Sequence, residues 1–161
     1  MDVGYPGAVN RTQPATVQAE ILNTTTPPLG YGTMLVMDSA TGTLRPPTGT
    51  DTLAGFAGLY VRPYPRQSNL NINDPLGTAT PPTTGMGDVL KRGYMIVRLN
   101  TASPAVVKGQ PVGVFIGAAT AGNPAGGVTG AAPGATVLAL TNSQFMGPAD
   151  ANGMTEIAYN L

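Results

Sequence analysis

Between Gly87 and Gly117 polar and apolar positions alternate in two runs separated by a turn-rich connection. In the first run Met95, Val97 and Leu99 fall on one face, and Tyr94, Ile96 and Arg98 on the other. In the second, Val112, Val114 and Ile116 share a face opposite Gly113, Phe115 and Gly117. A period of two in these residue types predicts sheet, because successive strand side chains point to opposite sides. The connection carries Ser103-Pro104 and Lys108-Gly109, and proline has no N–H to give to a central ladder. This pair is scaffold, with no chemically armed residue.

The same alternation recurs along the chain. Residues 1–14, with Gly4, Pro6, Gly7 and Pro14, show no period and are expected to form an extended arm whose large side chains are Tyr5 and Arg11. A frayed terminus is the plain alternative, because termini are loose unless tied down. From Thr16 to Leu22 the pattern puts Val17, Ala19 and Ile21 inward, with Gln18 and Glu20 outward. Thr33–Met37 is a second strand closed by a turn at Asp38-Ser39-Ala40-Thr41-Gly42. Leu44–Gly49 contains two successive prolines and is expected to be a rigid connector. Thr52–Arg62 is the longest candidate strand, with Phe56 and Tyr60 on one face and Leu53, Ala57, Leu59 and Val61 on the other. Gly55 and Gly58 within it suggest a bulge or close backbone packing. Further strands are expected at Thr136–Leu140, with Leu138 and Leu140 on one face, and at Thr155–Tyr159, with Thr155, Ile157 and Tyr159 inward. A turn region, Phe145–Gly153, lies between them. No segment has a persuasive helical period.

These elements predict an all-β single domain, a jelly roll or related small β-sandwich or barrel. It would span residues 15–161 behind the arm, with long loops near 63–87 and 118–134. The Pro- and Thr-rich stretch Pro63–Gly87 is long for a loop in a compact domain, and such loops are usually functional or disordered. Arg62, Tyr64 and Arg66 at its root form a cationic and aromatic cluster. Two readings stand side by side: a solvated loop edge, or an anchor against a partner, since Arg and Tyr are enriched at interface hot spots.

Composition narrows the classes. At 161 residues one domain can bury about 70% of its unfolded surface, so no disulfide or metal is needed. With no Cys and no His, neither a disulfide nor a zinc site can be built. Charged residues make up 10% of the chain and balance to a net charge of zero, against about 25% charged in ordinary domains. Nothing steers such a chain toward nucleic acid or acidic lipid. A near-neutral surface favours association instead. The N-terminal MDVGYPGAVNR is not expected to act as a signal peptide, and the longest mainly apolar stretch, Val112–Ala121, is too short to cross a bilayer. Neither a nucleic-acid nor a membrane partner is expected.

Catalytic chemistry is scarce. Without His and Cys the commonest general base and the most reactive nucleophile are missing. Ser103 and Lys108 share a connection, but Lys108 sits in a Lys-Gly turn, where a solvated lysine is expected. Asp150-Ala151-Asn152-Gly153 resembles part of a calcium loop but lacks the remaining ligands, so a turn is the better reading; Glu156 lies close by. Asp88 is expected to cap a turn beside Gly87. Asn10-Arg11-Thr12 and Asn23-Thr24-Thr25 match a short glycosylation pattern with no secretion signal. No catalytic, cofactor-binding or metal-binding residue is assigned, and the chain is not expected to be an enzyme.

The order of several phrases resembles the small cement, or decoration, proteins of tailed bacteriophage capsids. They are Thr52–Arg62 (TLAGFAGLYVR), Gly87–Val97 (GDVLKRGYMIV), Val107–Val112 (VKGQPV) and the closing Glu156–Leu161 (EIAYNL). The likeness runs from Leu29 onward, and its distinctive feature is the succession of phrases. It implies a jelly roll or similar small β-fold on the capsid exterior, assembled in the host cytoplasm. The implied partners are the major capsid protein and further copies of itself, as a dimer or trimer at a symmetry axis. The family has no catalytic motif and no fixed contact pattern, so the candidate interface residues Tyr5, Arg11, Arg62, Tyr64 and Arg66 rest on the chain's own chemistry. A tail, fibre or host-surface β-module is the alternative. A carbohydrate-binding sandwich fits less well, because the chain has no Trp and only scattered Tyr and Phe.

Overall fold

The computed structural model describes residues 4–63 and 80–161, with the backbone alone for 12–14. Among these residues there are nine strands and no α-helix. They are β1 (Arg11–Ile21), β2 (Met34–Asp38), β3 (Thr43–Arg45), β4 (Phe56–Tyr60), β5 (Met86–Arg98), β6 (Pro111–Phe115), β7 (Val128–Thr129), β8 (Val137–Phe145) and β9 (Met154–Tyr159). They form one sheet in the order β3-β2-β4-β5-β9-β8-β6-β7, with β1 added to β5. Every ladder is antiparallel, and the sheet curls into a half-barrel of the small sandwich or jelly-roll type.

β5 organises the sheet because it pairs with β1, β4 and β9. Met95 and Val97, which share one face of it, are fully buried, and so are Val112 and Val114 on β6. They meet in the main core with Leu59, Leu90, Phe145 and Ile157. A smaller core on the other side of the β2–β4–β5 region gathers Leu22, Leu35, Leu44, Ala57, Tyr60 and Val89. Ile96, on the opposite face, is also only 4% exposed, because the N-terminal arm crosses it: Gly4 lies against the Ile96 side chain, the Gly7 amide donates to Ile96 O and the Ile96 amide to Ala8 O. The arm is therefore tied down from Gly7, and its last residues from Arg11 belong to β1.

Three expectations about strands need correction. In β4 the strand is shorter than Thr52–Arg62, and Leu53–Gly55 is a single 3-10 turn. Val36 pairs with Phe56 while Leu35 pairs with Gly58, leaving Ala57 as an extra residue. This is the bulge that Gly58 suggested, and it reverses the phase of everything before it. Phe56 therefore packs on the main core, while Ala57 joins Tyr60 in the smaller one.

In β1 the inward set is not buried. Val17 is 45% and Ile21 55% exposed, and Ala19 is exposed too. Directly opposed residues of a ladder share a face, and Val17 and Ile21 oppose Leu90 and Met86. The alternation points these side chains to the face of the buried Leu90, but past the rim of the core, where no described residue covers them.

In β8 the strand runs on through polar Thr141-Asn142-Ser143-Gln144 to fully buried Phe145. Asn142 adopts φ +50°, and the ladder with β6 shifts register between Pro111 and Gly113.

The remaining differences are local. Leu44 and Arg45 lie in β3, so the proline connector starts at Pro46. Asp88 is inside β5 opposite Ala19 and does not cap a turn. The end of the Pro63–Gly87 loop, Met86 and Gly87, is strand. Most of that loop, with Tyr64 and Arg66, lies outside the described residues. The Gly- and Ala-rich stretch 118–134 holds β7 and is fastened by bonds from Met34 N to Gly126 O and from Asn100 N to Val128 O.

Candidate functional site

The arm brings two of the expected interface residues together. Gly7 takes φ +80°, and a Cβ there would lie 2.6 Å from Tyr31 Cβ and 2.9 Å from Arg62 N. Only glycine lets the arm pass this close. The Arg62 amide donates to Gly7 O at 2.8 Å, and the Arg62 guanidinium stands 5.2 Å from the centroid of the Tyr5 ring, within cation–π range. Tyr5 remains 47% exposed.

Arg11 belongs to a different cluster. Its Nε and Nη2 donate to the two Glu156 carboxylate oxygens, each at 3.0 Å, and its guanidinium lies 4.3 Å from the Tyr94 ring centroid. Asn10 Nδ2 adds a 2.6 Å bond to Glu156 Oε1. Arg11 thus has its charge answered inside the molecule and staples the arm to the last strand.

Beside Arg62 opens a cleft of about 540 Å³. Arg62, Arg98, Asn100, Tyr31 and Pro81 are among its walls, and none of the described lining residues is acidic. The Arg62 Nη2 atom is buried and has no hydrogen-bond partner among the described residues. Leaving such a donor unpaired costs roughly 1–3 kcal/mol. Arg98 and Asn100 were not singled out as site residues. The only signal in the sequence is that Arg98 shares a strand face with Tyr94 and Ile96, which says nothing of a cleft built by loops distant in sequence.

The other candidate chemistries resolve into structure. Ser103 Oγ accepts from the Gly130 amide at 2.9 Å and lies 3.0 Å from Pro104 O, while Lys108 is exposed on its turn. Asp150 Oδ1 accepts from the amides of Asn152 (2.8 Å) and Met154 (2.9 Å), which makes the loop a turn closed by Gly153. Asn23 Oδ1 likewise accepts from Thr25 and Thr26 amides. No group of three acidic, His or Cys side chains suited to a metal occurs among the described residues.

A second surface feature is apolar. Val17, Ile21 and Met86, the last 63% exposed, form a strip on the β1–β5 ribbon, with Ile21 directly opposite Met86.

A sparsely charged half-barrel whose free surface offers a loop-built cleft and an uncovered apolar strip belongs to the class of small all-β assembly proteins. Comparison with known proteins sharpens this: the family described as XM1 gp53 minor capsid protein matches residues 1–159, and the chain belongs to that family. Among solved structures, a chain of the capsid of Myoviridae phage XM1 shares the fold with a TM-score of 0.73 at 19% identity. The match covers 99% of this chain and 92% of that one. No curated protein matches the sequence. The protein is therefore a phage capsid-associated structural protein and a component of the virion, in agreement with the class the sequence resembled.

Proposed function

We propose that this protein binds the outside of the assembled shell and cements neighbouring major capsid proteins, performing no catalysis. The observation that carries the proposal is the uncovered strip of Val17, Ile21 and Met86 in a chain that belongs to a minor capsid protein family. A sheet face patterned for burial but left without cover is the mark of a surface that another protein completes. The zero net charge argues for the exterior, since a lining for packaged nucleic acid would need a cationic surface. Tyr5, Arg62, Tyr64 and Arg66 are proposed as a second contact, and self-association as a dimer or trimer would let one unit bridge several shell subunits.

Cementing needs no strong single contact. Binding to the assembled shell alone, and not to free subunits, stabilises it by about 2.7 kcal/mol per site at a hundredfold excess over the dissociation constant. The test compares the melting of capsids that lack the protein, capsids carrying it, and capsids offered the triple variant Val17→Thr, Ile21→Thr, Met86→Thr. Decorated shells are expected to melt several degrees higher, and the variant is expected to give less of that gain. Identical melting with and without the protein would refute cementing. Protein found only in tail fractions of a dissected virion would favour a tail or fibre module.

A further inference from the structure

We propose that the cleft beside Arg62 is a receptor for a carboxylate side chain on an extended segment of the shell protein. This inference rests on the capsid-binding role above and names the chemistry of one contact. Its volume of about 540 Å³ falls in the ordinary range of ligand sites, about 300–1,000 Å³. Arg62 and Arg98 are among its lining residues, and no acidic residue is among the described ones.

Five of the six acidic side chains among the described residues have partners within the fold. Glu20 pairs with Lys91, Asp51 with Arg45 and Glu156 with Arg11. Asp38 accepts from Ala40 and Thr41, and Asp150 from Asn152 and Met154. Asp88 sits in β5 and is not among the cleft's walls. The cations therefore divide unevenly: Arg11, Arg45 and Lys91 have carboxylate partners, whereas Arg62 keeps a buried nitrogen without an acceptor among the described residues.

A guanidinium fork offers paired N–H donors that match the two oxygens of a carboxylate. The Tyr5 ring beside Arg62 holds the side chain in place, so little freedom is lost when an acceptor arrives. A polyanion such as nucleic acid is disfavoured, because its binding scales with the number of cations in a basic patch and the whole chain has eight. The walls of Tyr31, Asn100, Pro81 and the glycines beside them suit an extended backbone.

The experiment titrates the intact protein with acetyl-Gly-Asp-Gly-amide and its Asn counterpart, following arginine Nε–Hε resonances. Saturable shifts of Arg62 and Arg98 with the Asp peptide alone are expected. Binding should weaken at least tenfold in Arg62→Met, which keeps the stem, and about threefold in Arg98→Gln. Equal response to both peptides, or unchanged binding in both variants, overturns the proposal. So does tighter binding of inorganic phosphate. Binding that appears only in Asp74→Asn also overturns it, since the chain's own carboxylate would then be the occupant. Co-sedimentation with capsids separates the two layers of argument. If the wild type fails to attach, the cement role falls. If wild type and Arg62→Met attach equally, that role stands and the cleft inference alone falls.

Discussion

Arg45 and Asp51 form a fork-to-fork ion pair across the proline connector, with Nη1 to Oδ2 at 2.7 Å and Nη2 to Oδ1 at 2.8 Å. The same carboxylate accepts from the Thr48 amide at 2.6 Å and from Thr48 Oγ1 at 2.9 Å. One side chain thus closes the loop that returns the chain from β3 toward β4. The hydrogen bond from Arg45, reinforced by Thr48 against partial desolvation, holds the Asp51 carboxyl down at about 2.

A carboxyl whose folded pKa lies below its unfolded value stabilises the fold above the unfolded pKa, and that contribution is lost as pH falls through the folded one. For Asp51 the loss is expected between about pH 4 and pH 2, and to amount to about 1–2 kcal/mol after allowing for solvent screening. Asp38, held low by the Ala40 amide and the Thr41 hydroxyl, acts in the same direction. Thermal melts across this range should fall steeply for the wild type and less so for Asp51→Asn, which should already be weaker at neutral pH. Parallel curves for the two proteins would mean that the pair contributes nothing.

Gly58 sits at φ +146°, and a Cβ there would come 2.5 Å from Leu90 O. That carbonyl belongs to the neighbouring β5 and cannot swing aside as a flexible side chain could. Gly58→Ala is expected to cost about 2–4 kcal/mol through backbone strain and forced separation of β4 from β5. The denaturation midpoint of the free protein measures this directly; a change below about 0.5 kcal/mol would show that the bulge can relax.

Arg11→Ala should loosen the arm while leaving the barrel intact. The side chain is 49% exposed, so the ion pair and the Tyr94 contact together are expected to contribute about 0.5–1 kcal/mol. Hydrogen exchange at the Gly7 amide, bonded to Ile96 O, should accelerate by a factor of about two to five, with amides of β6 and β8 unchanged. No change at Gly7 would place the hold on the arm in its backbone bonds alone.

The triple threonine variant of Val17, Ile21 and Met86 should melt within about 0.5 kcal/mol of wild type as a free protein, because those side chains are already about half exposed. Its attachment to capsids should be weakened nonetheless. Attachment of the wild type should respond only mildly to salt, since few charges are available to screen. A large loss of stability in the free variant would mean that the strip is covered within the chain.

Much of the fold was legible in the alternation itself. A period of two puts Met95 with Val97 and Val112 with Val114 on one face of their strands, and Thr155 with Ile157 inward, and all six are buried. Local stereochemistry also gave the Asp38–Gly42 and Asp150–Gly153 turns and the irregularity at Gly58. The period, however, fixes which face a side chain takes and not whether anything lies over that face. Val17 and Ile21 therefore follow the inward pattern and are exposed, whereas Ile96, on the face opposite Met95 and Val97, is covered by the arm from the far end of the chain. A bulge also reverses the phase by one residue, so Phe56 and Tyr60 part company. The candidate site was the least legible part. Tyr5 meets Arg62 only because the arm crosses β5, and Arg62 shares a cleft with Arg98 only because loops remote in sequence close around both. Local periodicity carries no information about such long-range approach, and tertiary structure alone decided it.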